Sequence, residues 1–237
     1  MLRIIYFLIL TSFCLCCYMK IEKNENYIYG RSRCDHCYHK LKIKYCIPII
    51  SYIFLKGKCP YCHKKIKKIH FIIEVLTLII SLFLPINHFV ELIDYSILII
   101  LLLLSFIDFK YYVVPIVLQI LLSFYILIYR LIIPIHNIDP IINITMICGV
   151  MIITNFIVKD SFGDGDISLM LILSFYQNSK IMIIGFIISI LIGGIVSLVI
   201  KSTKRKIKIL PFVPILISGL YISIPYHEMI LKWYFSL

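Results

Sequence analysis

The chain has 237 residues, of which 61% are hydrophobic and only 15% charged, with a mean hydropathy of +0.99. A soluble domain carries about a quarter of its residues as charges, so an ordinary soluble globule is excluded. A transmembrane barrel is excluded too, because the alternating ten-residue segments it needs are absent.

Apolar segments follow one another from end to end: Ile4–Tyr18, Phe71–Ile86, Leu92–Phe109, Val113–Ile135, Ile141–Val158, Ile167–Tyr176, Ile181–Ile200 and Ile209–Pro225. Most approach the length that spans the roughly 30 Å hydrocarbon core as a helix. The expected fold is therefore all-α, a polytopic membrane protein with about eight transmembrane helices. The sixth segment is short and crosses only if tilted or extended into its flanking turns. Residues 227–237 read as an amphipathic interfacial tail. The first segment has only Arg3 ahead of it, and Cys14, Cys16 and Cys17 stand where a signal-peptide cleavage site would need small residues, so it reads as an uncleaved helix. No internal repeat stands out.

The net charge of +12 suggests nucleic acid until its distribution is considered. Of 24 Lys and Arg, thirteen lie between Lys20 and Lys68 and five between Lys201 and Lys208. Blocks of that kind beside apolar spans mark cytoplasmic loops and attract anionic lipid. The expected partner is the lipid bilayer, with no nucleic acid. Eight crossings with residues 20–68 inside leave only Arg3, Arg130, Lys180 and Lys232 outside. The expected division is a first transmembrane helix over 1–19, a cytoplasmic basic loop over 20–70, a membrane-embedded domain over 71–226 and the tail.

The basic loop contains Cys34-x2-Cys37 and Cys59-x2-Cys62. Two such pairs about twenty residues apart form the framework of a tetrahedral zinc site. Cytoplasmic thiols stay reduced and free to bind metal, so the loop is expected to be zinc-knuckle-like, holding structural Zn. His36, His39, His63 and His70 read as solvated or packed side chains. Cys14, Cys16, Cys17 and Cys148 read as small hydrophobes, and Cys46 has no partner spacing.

Only twelve Asp and Glu occur. Four lie at or near the ends of apolar spans, where a carboxylate is expensive and marks a functional candidate: Glu74, Asp108, Asp164 and Asp166. Asp108 closes the third span and Asp166 opens the sixth within Gly163-Asp164-Gly165-Asp166. The charge-derived topology places both at cytoplasmic helix ends. Two close carboxylates share a proton, and such a pair suits an aspartic peptidase, one member activating water and the other polarising the scissile carbonyl. Gly163 and Gly165 allow a tight turn. The bland alternative is that both aspartates cap helices.

Six ordered motifs then carry a resemblance: Arg31-Ser32-Arg33-Cys34-Asp35-His36-Cys37, Ile47 to Tyr52, Lys56-Gly57-Lys58-Cys59-Pro60-Tyr61-Cys62, Glu74-Val75-Leu76-Thr77, Asp108 with Val114-Pro115 and Gly163 to Asp166, and Pro211-Phe212-Val213-Pro214. In these the chain resembles the prepilin peptidases, also called type IV leader peptidases, polytopic Gly-x-Gly-Asp aspartic peptidases. The resemblance implies that Asp108 and Asp166 are the catalytic pair. It also implies a prepilin or pseudopilin substrate with a short basic leader, cut at the cytoplasmic face of the cell membrane. Some relatives also methylate the new N terminus with S-adenosylmethionine, for which no glycine-rich loop speaks here. Ser168, Ile116 and Thr11-Ser12-Phe13 depart from the family pattern and bear on specificity and methylation. Glu74 reads as structural or loop-docking, and Asp164 as a bystander. The competing readings are a non-catalytic scaffold that binds a pilus-assembly partner through the Cys loop, and a proton-carrying transporter.

Overall fold

The computed structural model describes residues 2–22, 32–34, 36–83, 88–134, 138–159, 161–202 and 210–235. Asp35, Asp160 and the basic stretch 203–209, where sequence places cytoplasmic charge, lie outside the described residues. All regular structure among the described residues is helical, and the only β pairing is two isolated bridges. The chain divides into two compact units, Met1–Ile100 and Leu101–Leu237.

The first unit contains α1 (Leu2–Glu22), a 3₁₀ turn (Ile43–Tyr45), α2 (Ile50–Phe54), α3 (Lys68–Phe83) and the first half of α4 (Phe89–Tyr111). Helix α1 packs along α3, and Phe7, Cys14, Ile93 and Ile97 are buried in this unit. Thr11 Oγ1 donates to Thr77 Oγ1 at 3.3 Å, and the hydroxyls of Tyr6 and Ser96 meet at 2.8 Å. Hydroxyls inside an apolar bundle need such partners because neither water nor lipid supplies them.

The second unit continues with α5 (Ile116–Ile132), α6 (Asp139–Asn143), a π-helical turn (Ile144–Cys148), α7 (Gly149–Ile157), α8 (Asp164–Leu173), α9 (Ser179–Ser202) and α10 (Phe212–Phe235). Prolines precede α5 and α10, at Pro115 and Pro211, where a missing N–H does no harm. In the widened turn Thr145 Oγ1 donates back to Ile141 O at 2.8 Å and Ile142 O at 3.1 Å, a hydroxyl competing for helix carbonyls. Helix α10 runs on through Pro225 to Phe235.

Every apolar segment read from the sequence is helical over most of its length. Among the described residues, four helices are long and apolar enough to cross a membrane: Arg3–Lys20, Phe89–Tyr111, Asp139–Ile157 and Ser179–Ser202. Length and apolarity together make this an integral membrane protein. The eight crossings expected from sequence are not reached by helix length. Helix α8 has 10 residues, roughly 15 Å at 1.5 Å per residue, about half a hydrocarbon core.

The tightest helix pair is α9 with α10. A Cβ at Gly219 would overlap Ser189 Oγ and Gly185 O, and one at Gly185 would lie 3.0 Å from Leu220 Cα. Small residues let membrane helices approach until van der Waals contact holds them. Gly219→Ala is expected to lower the unfolding temperature in detergent, at an overpacking cost of about 1–3 kcal/mol. Gly194→Ala, whose Cβ would meet nothing within 4 Å, leaves it unchanged.

Candidate functional site

The two Cys-x2-Cys segments fold into matching turns. Cys34 N–H donates to His39 O and Tyr38 N–H to Cys34 O, both at 3.0 Å. In the second turn Cys59 N–H donates to Lys64 O at 2.9 Å and His63 N–H to Cys59 O at 3.0 Å. The bridges Arg33–Lys40 and Lys58–Lys65 close the two turns, and Tyr38 and His63 hold equivalent positive φ angles of 55° and 56°. One local structure thus occurs twice, once around each Cys-x2-Cys pair.

The turns bring the four sulfurs within 4.8 Å of one another. Cys34 and Cys62 Sγ are 3.7 Å apart, and Cys37 and Cys59 Sγ 4.0 Å. A tetrahedron with metal–sulfur bonds of about 2.3 Å has edges of about 3.8 Å, so the four fit a tetrathiolate metal centre and are consistent with structural zinc. No histidine joins this group among the described residues. Amide groups of His36 and Tyr61 point at Cys34 and Cys59 Sγ at 3.4 and 3.5 Å. Burial raises the Cys34 thiol. The amides of Cys37 and His36 and the side chains of Cys59 and Cys37 outweigh that and bring it down to about 7.

Glu74 docks the loop that joins the two turns. Its Oε2 accepts from Ile49 N–H at 2.7 Å, and Ile49 is a β-branched residue at φ 61°, ψ −55°, a conformation that needs support from its surroundings. A cavity of about 210 Å³ in this unit is bordered by Ser12, Cys16, Cys46, Tyr52, His70 and Glu74. Neither Asp108 nor Asp166 borders it.

Both aspartates belong to the second unit. Asp108, in the last turns of α4, is buried, and its Oδ2 accepts from Val213 N–H at 3.0 Å in the first turn of α10. A helix N terminus presents free amides and positive potential, which suits a carboxylate. Asp166 lies in the first turn of α8, one residue ahead of the apolar segment that begins at Ile167. Its Oδ2 accepts from Gly163 N–H at 3.3 Å. Gly163 has no side chain to return the bond, so this is one half of a capping box. Burial, and then the charge of Asp108, raise the Asp166 carboxyl to about 6. Both aspartates thus bind helix-terminal amides, and the charge of Asp108 acts on Asp166.

The turn carrying Asp166 is held from several sides. A Cβ on Gly165 would come within 3.1 Å of Val114 Cβ, so the second glycine lets α8 close on the segment before α5. Ser168, flagged above as a departure, donates to Gln119 Oε1 at 2.8 Å, and Gln119 in turn donates to Val114 O at 3.3 Å. Asn155 near the end of α7 accepts from Phe162 N–H at 2.7 Å and donates to Phe162 O at 2.9 Å. The Phe162 ring meets Phe212 edge-on, with centroids 5.1 Å apart. Asp164 is exposed. Sequence reading missed Gln119 and Asn155. The available signal was a polar amide within an apolar span, which has to find partners.

Residues 5–88 match the model of the bacterial Peptidase A24 N-terminal domain. Residues 95–198 match that of the Type IV leader peptidase family. The first match covers the cysteine turns and Glu74, and the second covers Asp108 and Gly163 to Asp166. Phe212 and Val213 lie beyond both. No curated protein and no solved structure matches the chain.

Elemental analysis of the purified protein is expected to give one tightly bound metal ion per chain. Cys34→Ser and Cys59→Ser, which remove one sulfur from each turn, should each lose it. Wild-type protein without stoichiometric metal would refute the tetrathiolate centre.

Proposed function

Because the chain belongs to the type IV leader peptidase family, we propose that it is an aspartic endopeptidase whose catalytic carboxylates are Asp108 and Asp166. The observation that carries this reading is the pair itself. Two acidic side chains from separate helices lie in one compact unit, and the charge of one raises the other. A pair that shares a proton offers both species that peptide hydrolysis needs. The ionised member takes a proton from water as that water attacks the scissile carbonyl. The protonated member hydrogen-bonds the carbonyl oxygen as it gains charge. The resulting tetrahedral species collapses as a proton passes to the leaving amine. Asp108, held by the Val213 amide, suits the ionised role, and Asp166 suits the role of proton carrier.

In this reading the glycines at 163 and 165 admit a substrate strand close to the backbone. Residues 71–226 form the membrane-embedded catalytic region, and the loop over 20–70 is a structural zinc-bearing element. The substrate class is a prepilin or pseudopilin, cut between a short basic leader and its hydrophobic helix. Eight crossings, with α8 extended by its flanking turns, would put the pair at the cytoplasmic face of the cell membrane.

The test uses protein reconstituted in phosphatidylethanolamine–phosphatidylglycerol vesicles, with a pilin-type precursor carrying a short basic leader as probe. Asp108→Asn and Asp166→Asn should each abolish leader removal, a loss of at least about 10³-fold, while accumulating in the membrane as wild type does. Normal cleavage by either variant would end the two-aspartate reading. Product mass with and without added S-adenosylmethionine reads N-terminal methylation from the same reaction.

A further inference from the structure

Near the end of α7, Asn155 uses both ends of its amide on one turn. Its Oδ1 accepts from Phe162 N–H at 2.7 Å and from Ser161 Oγ–H at 2.5 Å, and its Nδ2 donates to Phe162 O at 2.9 Å. One side chain thus satisfies both backbone polar groups of Phe162, which fixes the position of that residue and the rotation of its peptide planes. Gly163 follows directly, and its N–H is the group that holds Asp166 Oδ2. On the other side the Phe162 ring packs edge-on against Phe212 at 5.1 Å, and the neighbouring Val213 supplies the amide that holds Asp108. Phe162 therefore adjoins Gly163, which supports Asp166, and packs on Phe212, the neighbour of the residue that supports Asp108, and Asn155 fixes Phe162.

We propose that Asn155 is a positioning residue of the aspartate pair: by clamping Ser161 and Phe162 it sets where Asp166 stands relative to Asp108. It touches neither carboxylate and acts through the turn. The inference rests on the peptidase reading above. Proton transfer and carbonyl polarisation by two side chains depend on their mutual placement, and a displacement of about 1 Å can cost on the order of a hundredfold in rate. An amide that only stabilised the fold would alter the amount of folded protein and leave turnover per folded molecule alone.

The experiment measures kcat and KM for Asn155→Ala and Ser161→Ala in the reconstituted system, with the same precursor, beside wild type and the two aspartate variants. Unfolding temperature is recorded for each. Asn155→Ala should lower kcat by about tenfold or more with KM changed by less than about twofold, the signature of lost transition-state placement. Ser161→Ala, which removes one of the three bonds and folds more safely, should lower kcat by a smaller factor in the same pattern. Wild-type kcat in both variants, or a rise in KM alone, would overturn the inference while dead aspartate variants left the peptidase reading standing. Normal cleavage by an aspartate variant would instead overturn that reading, and this inference with it.

Discussion

Asp108 ends a long apolar helix in a place where it has lost most of its water, and the amide of Val213 is what replaces that water. The bond spans 105 positions in sequence, so it forms only once α10 starts in the right place. Much of the second unit is consistent with that demand. Pro211 precedes α10, whose first amides, like those of any helix, have no acceptor within the helix. The close fit of α9 against α10 at Gly185 and Gly219 fixes the helix that carries those amides. Phe212 then ties the same turn to Phe162 and the start of α8. An anion at a helix N terminus gains up to about 2 kcal/mol in a partly buried setting, enough to hold a side chain in one orientation but not to offset an unpaired buried charge.

The first unit solves a different problem by local means. Each cysteine turn closes within a few residues, through the same two backbone bonds and the same left-handed residue. The sulfurs therefore converge with little help from long-range packing. What does require the rest of the unit is the connection between the turns. Ile49 in its unfavourable backbone region costs of order 1–3 kcal/mol. A hydrogen bond from its N–H to a carboxylate oxygen is worth about 1.5–3 kcal/mol, so Glu74 on α3 is of the right size to hold the bend.

These two modes explain what could be read from the sequence. The cysteine site was legible because spacing and geometry are the same information when a turn closes on itself. The apolar segments were legible as helices because only helices and closed barrels satisfy the backbone within a bilayer, and the alternation of a barrel is absent. The matching of the two turns was not legible, since it lies in hydrogen bonds and φ angles and only weakly in side chains. The limited length of α8 was legible, because its apolar segment runs only from Ile167 to Tyr176. The aspartates were found by cost, and their supports were not. Asn155 and Gln119 bond to backbone or hydroxyl groups brought beside them by folding, and nothing adjacent in sequence marks those partners.

The helix-cap reading of the two aspartates and the catalytic reading are not alternatives. Both carboxylates do accept amides at helix N termini, and the two bonds differ. Asp108 takes a 3.0 Å bond from α10, a helix other than its own. Asp166 takes a 3.3 Å bond within its own turn and faces the charge of its partner. A hydrogen bond to a carboxylate favours its charged form, so unequal bonds make two neighbouring carboxylates unequal. Capping thereby becomes the means of telling two identical groups apart. A pair of aspartates with equal surroundings would exchange roles freely. This pair has unequal ones, an amide of another helix at Asp108 and an amide of its own turn at Asp166.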